Sequence, residues 1–66
     1  MNKKMKVKVN ELGKVYLLEK YGRISYVDEM VNLVFITLND ENIEKVKQLP
    51  FVTRVSENRK GTLLAV

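Results

Sequence analysis

Leu33-Val34-Phe35-Ile36-Thr37-Leu38-Asn39-Asp40-Glu41-Asn42-Ile43-Glu44-Lys45-Val46-Lys47-Gln48-Leu49-Pro50 holds a strand, a helix start and a helix stop in one run. Residues 33–38 are apolar on both faces, the pattern of a central strand buried on two sides. Asn39 then caps a helix whose first turn carries Asp40 and Glu41, both favourable beside the positive helix end. Ile43, Val46 and Leu49 recur on one helical face, and Pro50 stops the helix by driving its predecessor out of the α region. Downstream, residues 51–56 read as a strand with Phe51, Thr53 and Val55 on one side and Val52 and Arg54 on the other. Asn58-Arg59-Lys60-Gly61 is polar and turn-prone, and the chain closes on Thr62-Leu63-Leu64-Ala65-Val66.

Working upstream, residues 23–27 are strand-like with Ile24 and Tyr26 on one face, and Asp28-Glu29-Met30-Val31-Asn32 forms the connection to residue 33. At the N-terminal end, residues 4–9 alternate Lys4, Lys6 and Lys8 with Met5, Val7 and Val9, the two-residue period of a strand with one face inward. Residues 10–21 admit two readings. In one, Asn10 caps a short helix with Leu12, Val15, Leu18 and Tyr21 inward and Gly22 as a left-handed stop. In the other, Asn10-Glu11-Leu12-Gly13 is a hairpin turn leading into a strand, which would make residues 4–38 a β-meander.

The helical reading gives the order β-α-β-β-α-β, the split βαβ or ferredoxin-like plan. The expected fold is therefore α+β: one domain over residues 1–66, with a core at about 4–57 and an apolar C-terminal tail over 58–66. A four-stranded antiparallel sheet carries both helices on one face. If Val34, Ile36 and Leu38 face the helices, Leu33, Phe35 and Thr37 face outward from a central strand. A bare apolar patch there calls for a cover: a partner, a second copy forming a homodimer, or the chain's own tail.

Composition narrows the chemistry. Sixty-six residues leave room for one small domain. The sequence has no Cys and no His, which removes disulfides, thiolate metal sites and the commonest general base. Ser25 and Ser56 consequently have no His to activate them. Gly13, Gly22 and Gly61 fit neither a Walker A nor a dinucleotide motif. Asp28-Glu29 reads as a turn, and Asp40, Glu41 and Glu44 as a solvated helix start, rather than as calcium ligands. Apolar runs reach only four residues, as in Val15-Tyr16-Leu17-Leu18, far short of a membrane span. The expectation is a cytoplasmic binding module, neither enzyme nor membrane protein, without cofactor or metal.

The distribution of charge admits a functional and a structural reading. The formal net charge is +4, and Lys3, Lys4, Lys6 and Lys8 supply all of it, because residues 9–66 balance to zero. A basic segment that meets phosphates is the functional reading, with Lys4, Lys6 and Lys8 as nucleic-acid contacts. The plainer reading is the outer face of a strand whose lysines guard it against edge-to-edge pairing. An outward Phe35 beside those lysines would suit base stacking, although no RNP consensus is present.

From Gly22 to Glu57 the chain resembles the propeptides of subtilisin-like serine proteases and their free-standing inhibitor relatives. The residues are Gly22-Arg23-Ile24, Val31-Asn32, Thr37-Leu38-Asn39-Asp40, Ile43-Glu44-Lys45-Val46-Lys47 and Leu49-Pro50-Phe51-Val52-Thr53-Arg54-Val55-Ser56-Glu57. The resemblance implies a ferredoxin-like domain that docks its open sheet face on a subtilisin-like serine protease. It lays its C-terminal extension in the cleft as an added strand. On that pattern Leu63, Leu64, Ala65 and Val66 are the cleft-binding tail, Leu33 and Phe35 belong to the docking face, and Glu57 keeps the charge of an acidic helix-capping stretch.

A second resemblance is carried by Leu18-Glu19-Lys20-Tyr21-Gly22-Arg23-Ile24-Ser25-Tyr26-Val27 and by Leu49-Pro50-Phe51-Val52-Thr53-Arg54-Val55. These stretches are similar to a family of short bacterial cytoplasmic proteins without an assigned function. The fold implied is the same.

Overall fold

The computed structural model describes residues 2–57. Four strands, β1 (Asn2–Val9), β2 (Gly22–Asp28), β3 (Leu33–Asn39) and β4 (Val52–Glu57), alternate with a 3-10 helix (Leu12–Lys20) and one α-helix, α1 (Asp40–Lys47). The sheet order is β2-β3-β1-β4, and each neighbouring pair is antiparallel. The architecture is ferredoxin-like. The tail residues Leu63, Leu64, Ala65 and Val66 lie outside the described residues.

One core lies between the sheet and the helices. Met5, Val7 and Val9 of β1 and Val34, Ile36 and Leu38 of β3 meet Val15 and Leu18 of the 3-10 helix, Ile43 and Val46 of α1, and Phe51. Val7, Val34, Leu18 and Val46 are fully excluded from solvent. The expected inward sets of β1, β3 and α1 are thus the observed ones. At the head of α1, the Asn39 side chain accepts a 2.7 Å hydrogen bond from the Asn42 amide, satisfying one of the free donors of the first turn. The Asn42 side-chain amide in turn donates to the Tyr21 carbonyl at 2.8 Å and ties α1 to the end of the 3-10 helix.

Residues 10–21 resolve in favour of a helix, but of the tighter kind. Leu12, Val15, Leu18 and Tyr21 fall every third residue, which is one turn of a 3-10 helix and drifts on an α-helix. Asn10 is not the cap. Glu11 occupies that position without a side-chain hydrogen bond, while the Asn10 amide is drawn off to donate to the Phe51 carbonyl at 2.9 Å. Gly22 is not a left-handed stop either. It is the first residue of β2, opposite Leu38, and a Cβ there would press into the Thr37 carbonyl and stand 2.8 Å from Leu38 Cδ2. The residue with a left-handed backbone is Asn32, at φ 57° in the β2–β3 turn, where Asp28 Oδ1 accepts from the Met30 amide at 3.1 Å.

Both outer strands carry a bulge, and each overturns a simple alternation. In β2, Ile24 lies opposite Ile36 and Tyr26 opposite Phe35, so Ser25 is the extra residue. Ile24 packs on the core, whereas Tyr26 is 55% exposed; the two do not share a face. In β4, Lys8 lies opposite Arg54 and Val9 opposite Val52, so Thr53 is extra. The Thr53 hydroxyl donates to the Lys8 carbonyl at 3.2 Å, and Val52 and Val55 both pack against the core. One unpaired residue in a strand reverses the facing of everything beyond it.

Candidate functional site

Directly opposed residues in an antiparallel sheet point to the same side, so the register maps the face that the helices leave open. One row runs Arg54, Lys8, Leu33, Asp28; the next runs Ser56, Lys6, Phe35, Tyr26; a third holds Lys4, Thr37 and Arg23. Lys4, Lys6, Lys8, Arg23 and Arg54 therefore gather on this face with one carboxylate, Asp28. Two-residue steps along β1 space its lysines about 6.8 Å apart.

Lys3 has a different fate from its neighbours. It stands opposite Leu38, on the helical side, and its Nζ lies 3.5 Å from Asp40 Oδ1. Among the described residues the ion pairs are Lys3 with Asp40 and Lys47 with Glu44. Among these pairs there is none between a carboxylate and any of the five cations of the open face. The edge-protection reading of these lysines loses its footing as well. β1 lies between β3 and β4, so it has no free edge to guard.

The aromatic residues of this face form a pair. The Tyr26 and Phe35 rings are 5.9 Å apart and tilted by 37°, within the range of favourable aromatic contacts. Phe35 points away from the main core, yet it is only 6% exposed instead of bare as the alternation suggests. Its register neighbours are Tyr26 and Lys6, and Lys6 is half-buried where Lys4 and Lys8 are exposed. The alkyl stem of a lysine can cover an aromatic ring while its ammonium stays in water. Beside this pair, Lys6, Lys8, Leu33, Arg54 and Ser56 line a shallow hollow.

The residues expected on a docking face do not stay together. Leu33 and Phe35 lie on the open face, but Glu57 stands opposite Met5, a core residue, and so projects to the helical side. Arg23, Tyr26 and Arg54 are the members that linear reading missed. The four-stranded order would have brought Arg54 beside Lys8, but Tyr26 arrives only through the bulge. Three carboxylates have partners of their own: Asp28 accepts within its turn on this face, Asp40 pairs with Lys3, and Glu44 pairs with Lys47.

Among the described residues no helix is long and apolar enough to cross a membrane. No curated protein sequence and no solved structure matches the chain. Nothing in these comparisons connects it with subtilisin propeptides; they agree with the other resemblance, to short bacterial proteins without an assigned function. Residues 3–64 match the DUF2129 family, described as an uncharacterized protein conserved in bacteria, and with nearly its whole length inside that match the chain belongs to this family.

Proposed function

We propose that this protein binds nucleic acid on the open face of its sheet. The observation that carries the reading is the convergence of Lys4, Lys6, Lys8, Arg23 and Arg54 on one face with a single carboxylate among them. Such a face attracts a polyanion, and each phosphate it neutralises releases condensed counterions. A second copy placed on the same face would set five cations against five, which like-charge repulsion disfavours. The protease-docking alternative rests on Leu33 and Phe35, which share this open face, on Glu57, which is on the other side of the sheet, and on Leu63, Leu64, Ala65 and Val66, outside the described residues.

Fluorescence anisotropy of a labelled 12-nucleotide strand and of its duplex, titrated with protein between 50 and 200 mM salt, tests the proposal. Affinity is expected to fall linearly on a double-logarithmic plot. The paired substitution Lys6→Ala and Lys8→Ala should weaken binding and flatten the slope by about 0.7 for each single-strand phosphate that is no longer neutralised. Absence of binding at 50 mM salt, or a salt-independent affinity, overturns it. So does binding to an acidic peptide with none to either oligonucleotide, which would assign the face to a protein partner.

A further inference from the structure

We infer that Tyr26 is the base-stacking residue of this face and that the ligand is an unpaired strand rather than a duplex. The inference rests on the polyanion reading above and deepens it. Its starting point is the bulge at Ser25. Were the ladder regular through this stretch, Ser25 would stand opposite Phe35 and Tyr26 opposite Val34, on the core side of the sheet. The inserted residue turns Tyr26 onto the cationic face, where the residue is 55% exposed. Bulges commonly re-aim a side chain in this way beside functional surfaces.

Phe35 supplies the support. At 6% exposure it offers a ligand little surface of its own, so the outward aromatic that the strand pattern pointed to is the wrong member of the pair. Its ring lies 5.9 Å from that of Tyr26, tilted by 37°, and gives the exposed residue an aromatic neighbour on the sheet. Tyr26 thus presents a large, rigid surface on two torsions at low entropic cost. It is flanked in register by Phe35 and then by Lys6 and Ser56. A base laid on Tyr26 would leave its phosphates within the span of Lys6, Lys8 and Arg23. Stacking needs an unpaired base with a free face, which a duplex keeps within its own stack.

The simpler account is that Tyr26 does no more than shield Phe35. Two substitutions separate the accounts: Tyr26→Leu keeps an apolar cover without a π-face, and Tyr26→Phe keeps the π-face. Thermal melting monitors the fold of both. The probes are labelled 12-mers of uridine and of thymidine, an abasic strand of the same length, and a 12-base-pair duplex. Binding to either unpaired 12-mer serves the proposal. Tyr26→Leu should weaken that binding between about fivefold and 140-fold, the equivalent of the ~1–3 kcal/mol that one base–aromatic stack contributes. Tyr26→Phe should leave it within about twofold of the parent on the same scale. The abasic strand should bind the parent as weakly as the uridine strand binds Tyr26→Leu, and should not distinguish the two proteins. If Tyr26→Leu binds the unpaired strands like the parent while the lysine substitutions still weaken binding, the stacking role is overturned and a phosphate-only face remains. A duplex bound as tightly as the single strand overturns it equally. Failure of the parent to bind any oligonucleotide overturns the polyanion reading and this inference together.

Discussion

Adding one methyl group at Gly22 tests whether β2 and β3 approach as closely as the structure has them. An alanine Cβ there would overlap the Thr37 carbonyl oxygen, sit 3.1 Å from the Thr37 carbonyl carbon and lie 2.8 Å from Leu38 Cδ2. Leu38 can rotate, but the carbonyl belongs to the backbone of a central strand. An ordinary carbon–oxygen approach is about 3.3–3.6 Å, so relief requires the strands to part by roughly 1 Å against a normal spacing of about 4.8 Å. That strains or breaks a terminal ladder bond, at about 0.5–1.5 kcal/mol net, and adds an overpacking cost of about 1–3 kcal/mol. The expected loss is about 2–4 kcal/mol. A 66-residue domain holds roughly 3–10 kcal/mol in total, so the substitution removes a large share of its stability. Gly13→Ala is the control, because a Cβ at Gly13 meets nothing within 4 Å; it should gain about 0.4–1 kcal/mol through the unfolded chain. Urea melts followed by circular dichroism would report both. An unchanged midpoint for Gly22→Ala, or equal losses at both glycines, would refute the close approach.

Two further substitutions probe the local devices that set the elements. Asn39→Ala removes the acceptor of the 2.7 Å bond from the Asn42 amide and should cost about 1 kcal/mol by thermal melting, with Asn39→Asp retaining most of it; equal stability of parent and alanine variant would deny the cap. Asn32 holds φ at 57°, so Asn32→Gly should be neutral or slightly stabilising and Asn32→Val should lose about 1–2 kcal/mol. A valine variant as stable as the glycine one would show that the turn has another shape.

What could be read from the sequence depended on how local its cause was. The buried strand at residues 33–38 declares itself because apolar residues occupy both faces, and Asn39 and Pro50 bracket a helix by chemistry that acts within a few residues. The inward stripe Leu12, Val15, Leu18 and Tyr21 was visible too, and its strict spacing of three held the signal for a 3-10 rather than an α-helix. The bulges were not legible. Ser25 and Thr53 are ordinary strand residues, and what makes them supernumerary is the register of the partner strand. Gly22 misled for a related reason: glycine after a helix commonly marks a left-handed exit, but here the constraint comes from Thr37 on β3, fifteen residues later. On the candidate site, Lys4, Lys6 and Lys8 followed from alternation alone. Arg54 needed the strand order, and Tyr26 needed the bulge.

The division of charge between the two faces gives the open side its character. A domain of two layers has one sheet face that no helix covers, and solvation with charged side chains would satisfy that need with either sign. A mixed set of Lys and Glu would serve solubility best, because opposite charges across strands add stability and like charges opposed or adjacent reduce it. The helical side follows that rule: Lys3 finds Asp40, and Lys47 finds Glu44. On the open face the arrangement runs against it. Lys8 lies directly opposite Arg54 across the β1–β4 pair, and Lys4 and Arg23 flank the same Thr37. Nothing about folding requires like charges to be set side by side there, and the repulsion between them is relieved when an anion is bound. Among the described residues, cations without a paired carboxylate on the side the helices leave open, around an exposed tyrosine that a bulge has turned outward, are the features from which the polyanion proposal is argued.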